Sequence, residues 1–146
     1  DRPSKTSTRR LVGAADRPEL DALARRLAAD RGLDERVTAR LVARHGTEAA
    51  AVLDLGSECG LLGTVADGEE LLEAEVAWAA RRELALSLDD VLSRRLRLAQ
   101  ELPDRGAAIA PRVAAILGAE LGWDPDRQAR EVAAFLESAS REFAVA

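Results

Sequence analysis

Aromatic residues make up only 3% of this 146-residue chain, carried by Trp78, Trp123, Phe135 and Phe143. So few rings leave little on which bases could stack. The 26 carboxylates against 21 lysines and arginines give a net charge of −5, a surface that repels phosphate backbones. Nucleic acid is therefore a poor partner. A single cysteine, Cys59, excludes an internal disulfide and fits a reducing compartment. No apolar run approaches the roughly 20 residues of a membrane span, and the first residues lack the apolar stretch of a secretory signal. The expectation is a soluble, cytoplasmic chain.

What is present is a helix-forming mixture. Hydrophobic residues reach 47% and charged residues 32%, too apolar for disorder. With so few rings the core must be built from Leu, Val and Ala, and Ala, Leu, Arg and Glu all favour helix. A chain of this length can bury roughly 70% of its unfolded surface in one domain.

Residues 1–15 read as a polar connector whose abrupt start suggests a piece of a longer protein, and residues 16–146 read as a helical domain. The first helix opens at Asp16 with Pro18 in its first turn, turns Leu20, Leu23, Ala24, Leu27 and Ala28 inward, and ends at Gly32. Asp34 caps a second, with Val37, Leu41 and Val42 inward, stopped by Gly46. Thr47 caps a short third, with Val52 and Leu53 buried. Gly56, Gly60, Gly63 and Gly68 predict a loop over 56–69, with Leu61 and Leu62 against the core. A fourth helix is predicted at about 69–85, using Leu72, Val76, Ala79 and Ala80 with Trp78 near one edge. Ser87 and Asp90 form an S-x-x-D capping box for a fifth, with Leu88, Val91, Leu92 and Arg95 on one face. After a Pro103–Gly106 turn, a sixth spans about 107–121 with Ile109, Val113, Ile116, Leu117 and Leu121 inward, ending at Gly122. Asp124 and Pro125 open the last, with a stripe of Ala129, Val132, Ala133, Leu136 and Phe143. No segment alternates long enough for a strand. The fold class is all-α, six or seven short helices in an orthogonal or irregular bundle.

The chemistry-bearing residues are sparse. His45 and Cys59 are the single histidine and cysteine. They could act together only if the glycine loop folded back, and a histidine before Gly46 also suits the end of a helix. Cys59 reads most simply as a small loop residue. Zinc needs more ligands than are available. Asp67, Glu69, Glu70 and Glu73 form an acidic cluster at a helix start, where the dipole favours them without a metal. The glycine stretch has neither a G-x-G-x-x-G after a strand nor a G-K-S/T ending, so no nucleotide cofactor is expected within the segment. Arg81, Arg82, Arg94, Arg95 and Arg97 crowd two consecutive predicted helices beside Glu83, Asp89 and Asp90. They are either salt bridges within and between these helices or a docking surface, since arginine is enriched at interfaces. Arg81, Glu83, Arg94, Arg95 and Arg97 are thus the candidate inter-helix or inter-domain contacts. No catalytic, cofactor-binding or metal residue is assigned.

Two stretches carry a family resemblance. Glu73-Ala74-Glu75-Val76-Ala77-Trp78-Ala79-Ala80-Arg81-Arg82-Glu83-Leu84, continued by Ser87-Leu88-Asp89-Asp90-Val91-Leu92-Ser93-Arg94-Arg95-Leu96-Arg97, resembles the "EAEV…RHE…TLEDVLARRTR" segment in the C-terminal domain of FAD-dependent, quinone-linked glycerol-3-phosphate dehydrogenases. Glu120-Leu121-Gly122-Trp123-Asp124 is similar to that domain's "ELGWD" junction, and Arg44-His45-Gly46-Thr47 to its "RYGT" turn. Ser4-Lys5-Thr6 through Leu11-Val12-Gly13-Ala14 is similar to its connector. Arg82, Leu96 and His45 stand where the family has His, Thr and Tyr, departures that touch local helix contacts.

The resemblance implies a parent enzyme that oxidises sn-glycerol 3-phosphate to dihydroxyacetone phosphate, passing a hydride to FAD and electrons to quinone. It places flavin and substrate groups N-terminal to this region, so the segment's partners are the flavin and substrate domains of the same protein. It is compatible with a parent at the cytoplasmic face of a membrane and leaves homodimer formation open. A free-standing interaction or regulator module is the rival reading, since residues 18–45 also fit a helix-turn-helix. The acidic charge counts against it.

Overall fold

The computed structural model describes residues 9–142, so Phe143 and the Ser4–Thr6 part of the connector lie outside the described residues. Those residues form seven α-helices, one 3₁₀ turn and one π-helical segment. The only β pairing among them is an isolated bridge between Thr64 and Leu72. The fold is all-α. The chain divides into two compact units, the first ending at Asp54 and the second beginning at Leu55.

In the first unit, α1 (Arg17–Arg31) starts where Asp16 and Pro18 place it. The Glu19 carboxylate reaches back to accept the Asp16 N–H at 3.2 Å, and Gly32 closes the helix in the left-handed conformation. Asp34 then caps α2 (Glu35–His45) by accepting the Arg36 N–H at 2.7 Å. The two helices pack as a hairpin, burying Ala24, Leu27 and Ala28 of α1 and Thr38, Leu41 and Val42 of α2. Thr38 is a buried polar residue satisfied locally, its hydroxyl donating to the Glu35 carbonyl at 3.1 Å.

Gly46 does more than stop α2. Its φ is +57°, and a Cβ there would lie 1.8 Å from the Gly13 carbonyl oxygen, which also accepts the Thr47 N–H at 3.0 Å. Only a glycine lets the connector cross so closely. A 3₁₀ turn at Gly46–Glu48 leads into α3 (Ala49–Cys59), within which the division between the units falls.

Here the structure departs from the sequence reading. The third helix is not short: it continues through Gly56, and the predicted 56–69 loop begins only at Gly60. Gly56 is buried, and a Cβ on it would come within 2.8 Å of Leu62 and 2.9 Å of Ala74. It is a point of close packing within a helix, not a break in one.

The second unit is built around α4 (Glu73–Glu83), α6 (Ala110–Leu121) and α7 (Pro125–Glu142). Its core gathers Leu71, Val76, Leu88, Val91, Leu92, Val113, Leu117 and Phe135. The fourth helix starts at Glu73 and not at 69, because Val65 and Glu73 donate to the Leu71 and Gly63 carbonyls and hold 63–72 in a tight turn ahead of it. The Glu75 carboxylate, fully buried, accepts the Leu72 N–H at 3.1 Å.

The fifth predicted helix is a π-helical segment, Asp90–Arg95, in which the Leu96 N–H reaches five residues back to the Val91 carbonyl at 2.9 Å. The wider turn puts Val91, Leu92, Ser93 and Leu96 all inside and leaves Arg95 outside, contrary to the expected face. Short α5 (Leu98–Glu101) follows. The sixth helix opens at Ala110 and not 107, since Asp104 holds the preceding turn by accepting the Gly106 and Ala108 N–H groups. Ile109, Val113, Ile116 and Leu117 are buried as expected, and Leu121 is half-buried.

The last helix is capped by Asp124, which accepts the Arg127 N–H at 2.6 Å. Its inward face is Phe135 and Ala139 with Val132 beside them, whereas Ala129, Ala133 and Leu136 are exposed. Among the described residues no side chain larger than Phe135 is fully buried, and seating its ring turns the helix away from the alanine-rich stripe.

Candidate functional site

The charged residues singled out in the sequence lie mostly on α4 and on the segment that follows it, and the structure sends them to different partners. Arg81 forms a two-pronged pair with Glu120 of α6, Nε to Oε2 at 2.6 Å and Nη2 to Oε1 at 2.9 Å. The same Nη2 donates to the Cys59 sulfur at 3.4 Å. The hydrogen-bonded Glu120 carboxylate holds the Arg81 guanidinium well above its ordinary pKa. At the other end of α4, Arg112 of α6 pairs with the buried Glu73 at 2.6 Å, which likewise raises Arg112. Both ties join residues 39 apart in sequence, so α4 and α6 run parallel, clamped at each end. In the sequence Glu120 stood out only as part of the family's junction and Arg112 not at all, because nothing local reveals a parallel pair.

The π-helical segment is held by its own acids. Partial burial pushes the Asp90 carboxyl up, but the Leu86 N–H, the Ser87 hydroxyl and the Arg94 guanidinium outweigh it and hold it below the usual range. The capping box is realised in one direction: Ser87 Oγ accepts the Asp90 N–H at 3.1 Å. The Asp90 carboxylate accepts instead from the Leu86 N–H at 3.1 Å and the Ser87 hydroxyl at 3.0 Å. Arg94 pairs with Asp90 at 2.6 Å and Asp89 at 3.0 Å. Arg95 donates to the Glu83 carbonyl at 2.9 Å, with the Glu83 carboxylate 3.7 Å away, tying the segment to the end of α4. Arg82 lies over the Trp78 ring at 5.7 Å.

Two residues here have a conformation the sequence did not announce. Leu84 (φ +57°) and Arg97 (φ +59°) are both left-handed and exposed. Each carries a side chain where glycine is favoured, at a cost of roughly 1–2 kcal/mol.

Of the remaining candidates, His45 is the last residue of α2, and Cys59 is the exposed last residue of α3. Asp67, Glu69 and Glu70 precede α4 instead of opening it, so of the acidic cluster only Glu73 is helical. No cluster of three metal-ligating side chains and no helix long and apolar enough to cross a membrane occurs among the described residues. Among the described residues the segment shows no strand-to-helix glycine loop of the kind that cradles a dinucleotide. Its glycine-rich stretch follows a helix and not a strand, and the space beside Gly56 is filled by Leu62 and Ala74.

Residues 4–128 match the family model of the C-terminal domain of alpha-glycerophosphate oxidase. Glycerol-3-phosphate dehydrogenase 2 of Mycobacterium tuberculosis is 34% identical over 141 residues, 96% of this chain and 24% of that protein. Glycerol-3-phosphate dehydrogenase of Mycobacterium leprae is 35% identical over 134 residues, 91% of this chain and 23% of the relative. The mitochondrial glycerol-3-phosphate dehydrogenase of Arabidopsis thaliana is 37% identical over 100 residues, 68% of this chain and 16% of the relative. The chain spans about a quarter or less of the length of these relatives. No solved structure matches it.

Proposed function

Because this chain belongs to the family of C-terminal domains of alpha-glycerophosphate oxidase, we propose that it is the non-catalytic helical domain of an FAD-dependent glycerol-3-phosphate dehydrogenase. The observation that carries this reading is a match to that domain family running from the connector into the last helix. The parent oxidises sn-glycerol 3-phosphate to dihydroxyacetone phosphate. FAD, held elsewhere in the parent, supplies the hydride acceptor, and the electrons pass to quinone. The role of these helices is to pack against the flavin and substrate domains and keep them assembled, with Arg81, Glu83, Arg94 and Arg95 tying these helices together and Arg97 as a contact to the neighbouring domains.

The test compares the whole polypeptide with the isolated chain. The whole polypeptide should show flavin absorbance and reduce an artificial acceptor with glycerol 3-phosphate. The isolated chain should be colourless, and FAD should not quench Trp78 or Trp123 saturably. Saturable quenching in the isolated chain, or a whole polypeptide that leaves glycerol 3-phosphate untouched, would overturn the reading.

A further inference from the structure

We propose that the corner made by Leu84, Leu86 and Arg97 seats this domain on the remainder of a longer polypeptide, at an apolar pocket rimmed by carboxylates. The proposal rests on the domain reading above and assigns it a surface. Leu84 and Leu86 are 77% and 61% exposed, although the residue between them, Ala85, is fully buried. Arg95 fastens the end of α4 to the end of the π-helical segment through the Glu83 carbonyl, so Leu84 and Arg97 leave adjoining points of the fold.

The left-handed turn at Leu84 closes α4, with the Ala85 N–H donating to the Ala79 carbonyl at 3.0 Å. Glycine would make that closure without strain and without exposing a leucine. The side chain at 84 serves nothing inside the domain, and the same holds for the left-handed, exposed Arg97.

Charge indicates what faces the corner. Arg81, Arg94 and Arg95 are matched to Glu120, Asp89, Asp90 and Glu83. Arg82 and Arg97 have no carboxylate partner among the described residues, although the chain carries five more acids than bases. A guanidinium at Arg97 with no carboxylate, and one at Arg82 held only over the Trp78 ring, call for an acidic rim around an apolar pocket.

Size indicates the source of that pocket. Two leucines, even largely exposed, fall well short of the ~800 Å² per partner of a stable free complex. A patch this small holds when the partner is tethered at high effective concentration, as within one polypeptide.

Hydroxyl-radical footprinting of Leu84 and Leu86 tests this, in the isolated chain and in the whole polypeptide. Both leucines should be oxidised at least tenfold more slowly in the whole polypeptide. Leu84→Gly, Leu86→Ser and Arg97→Glu should leave the isolated chain's thermal midpoint unchanged, or raised for Leu84→Gly. The same changes should make proteolytic release of the domain from the whole polypeptide at least tenfold faster. Protection of other faces with the two leucines still reactive would overturn the surface and leave the domain reading standing. A domain protected nowhere in the whole polypeptide would overturn both. Self-association of the isolated chain that these variants abolish would also overturn the proposal, assigning the corner to a second copy.

Discussion

Asp90, Asp34 and Asp104 share a device: each carboxylate accepts backbone N–H groups at a turn or helix start and is held below the ordinary value of 3.8. A carboxyl whose folded pKa is depressed adds stability above its unfolded pKa and loses it as pH falls toward the folded one. Acid denaturation should therefore begin as pH drops below about 4, and Asp90→Asn should flatten that acid limb while lowering stability at pH 7. Chemical denaturation at stepped pH measures both, and an unchanged limb would remove Asp90 from the account. Deeper in the second unit, Leu117 is fully buried. Leu117→Ala should cost roughly 2–5 kcal/mol by urea titration, since the atoms around it cannot close the cavity. These residues were legible early. Caps and stop signals such as Asp16, Gly32, Asp34, Gly122 and Asp124 act on neighbours within a turn, so the sequence contains the whole interaction.

Elements proved less legible where a distant residue decides the outcome. Gly56 reads as a breaker beside Gly60 and Gly63, but Leu62 and Ala74 fill the space its side chain would need and keep α3 helical through it. Gly56→Val should therefore destabilise the chain by about 1–3 kcal/mol through overpacking, although valine alone favours helix slightly more than glycine. A thermal melt suffices, and a stabilised variant would show that the glycine is only conformational. The same logic explains the last helix. Periodicity pointed to the stripe through Ala129, Ala133 and Leu136, and the Phe135 ring, needing the most room, turned a neighbouring face inward instead. The π-helical turn at Asp90–Arg95 was invisible for a related reason: the hydrophobic spacing fits an α-turn nearly as well, and only the burial of both Val91 and Leu96 selects the wider one.

At the scale of the molecule, the fold class and the family were readable because composition and motif order span the whole chain, while the pairing of arginines was not. Arg94 and Arg95 looked like a shared patch, but one closes on Asp89 and Asp90 and the other on Glu83. Replacing both by alanine in the whole polypeptide should lower its melting temperature or its yield of intact enzyme. The Michaelis constant for glycerol 3-phosphate should stay near its original value in what remains, because a lost structural contact removes active molecules while a lost substrate contact weakens binding. A fully stable double variant with a tenfold higher constant would make the arginines part of a substrate site.

The parallel clamp between α4 and α6 also bears on how the chain reaches its native state. The α1–α2 hairpin joins neighbours across a three-residue turn and needs little loop closure. The Glu73–Arg112 and Arg81–Glu120 ties instead close loops of 39 residues, so the chain must lose somewhat more freedom before either can form. Contacts of such long range slow folding when they belong to the nucleus and slow unfolding when they form after it. With one tie at each end, the pair resists both sliding and splaying, while the buried apolar core between the helices supplies most of what keeps the second unit closed.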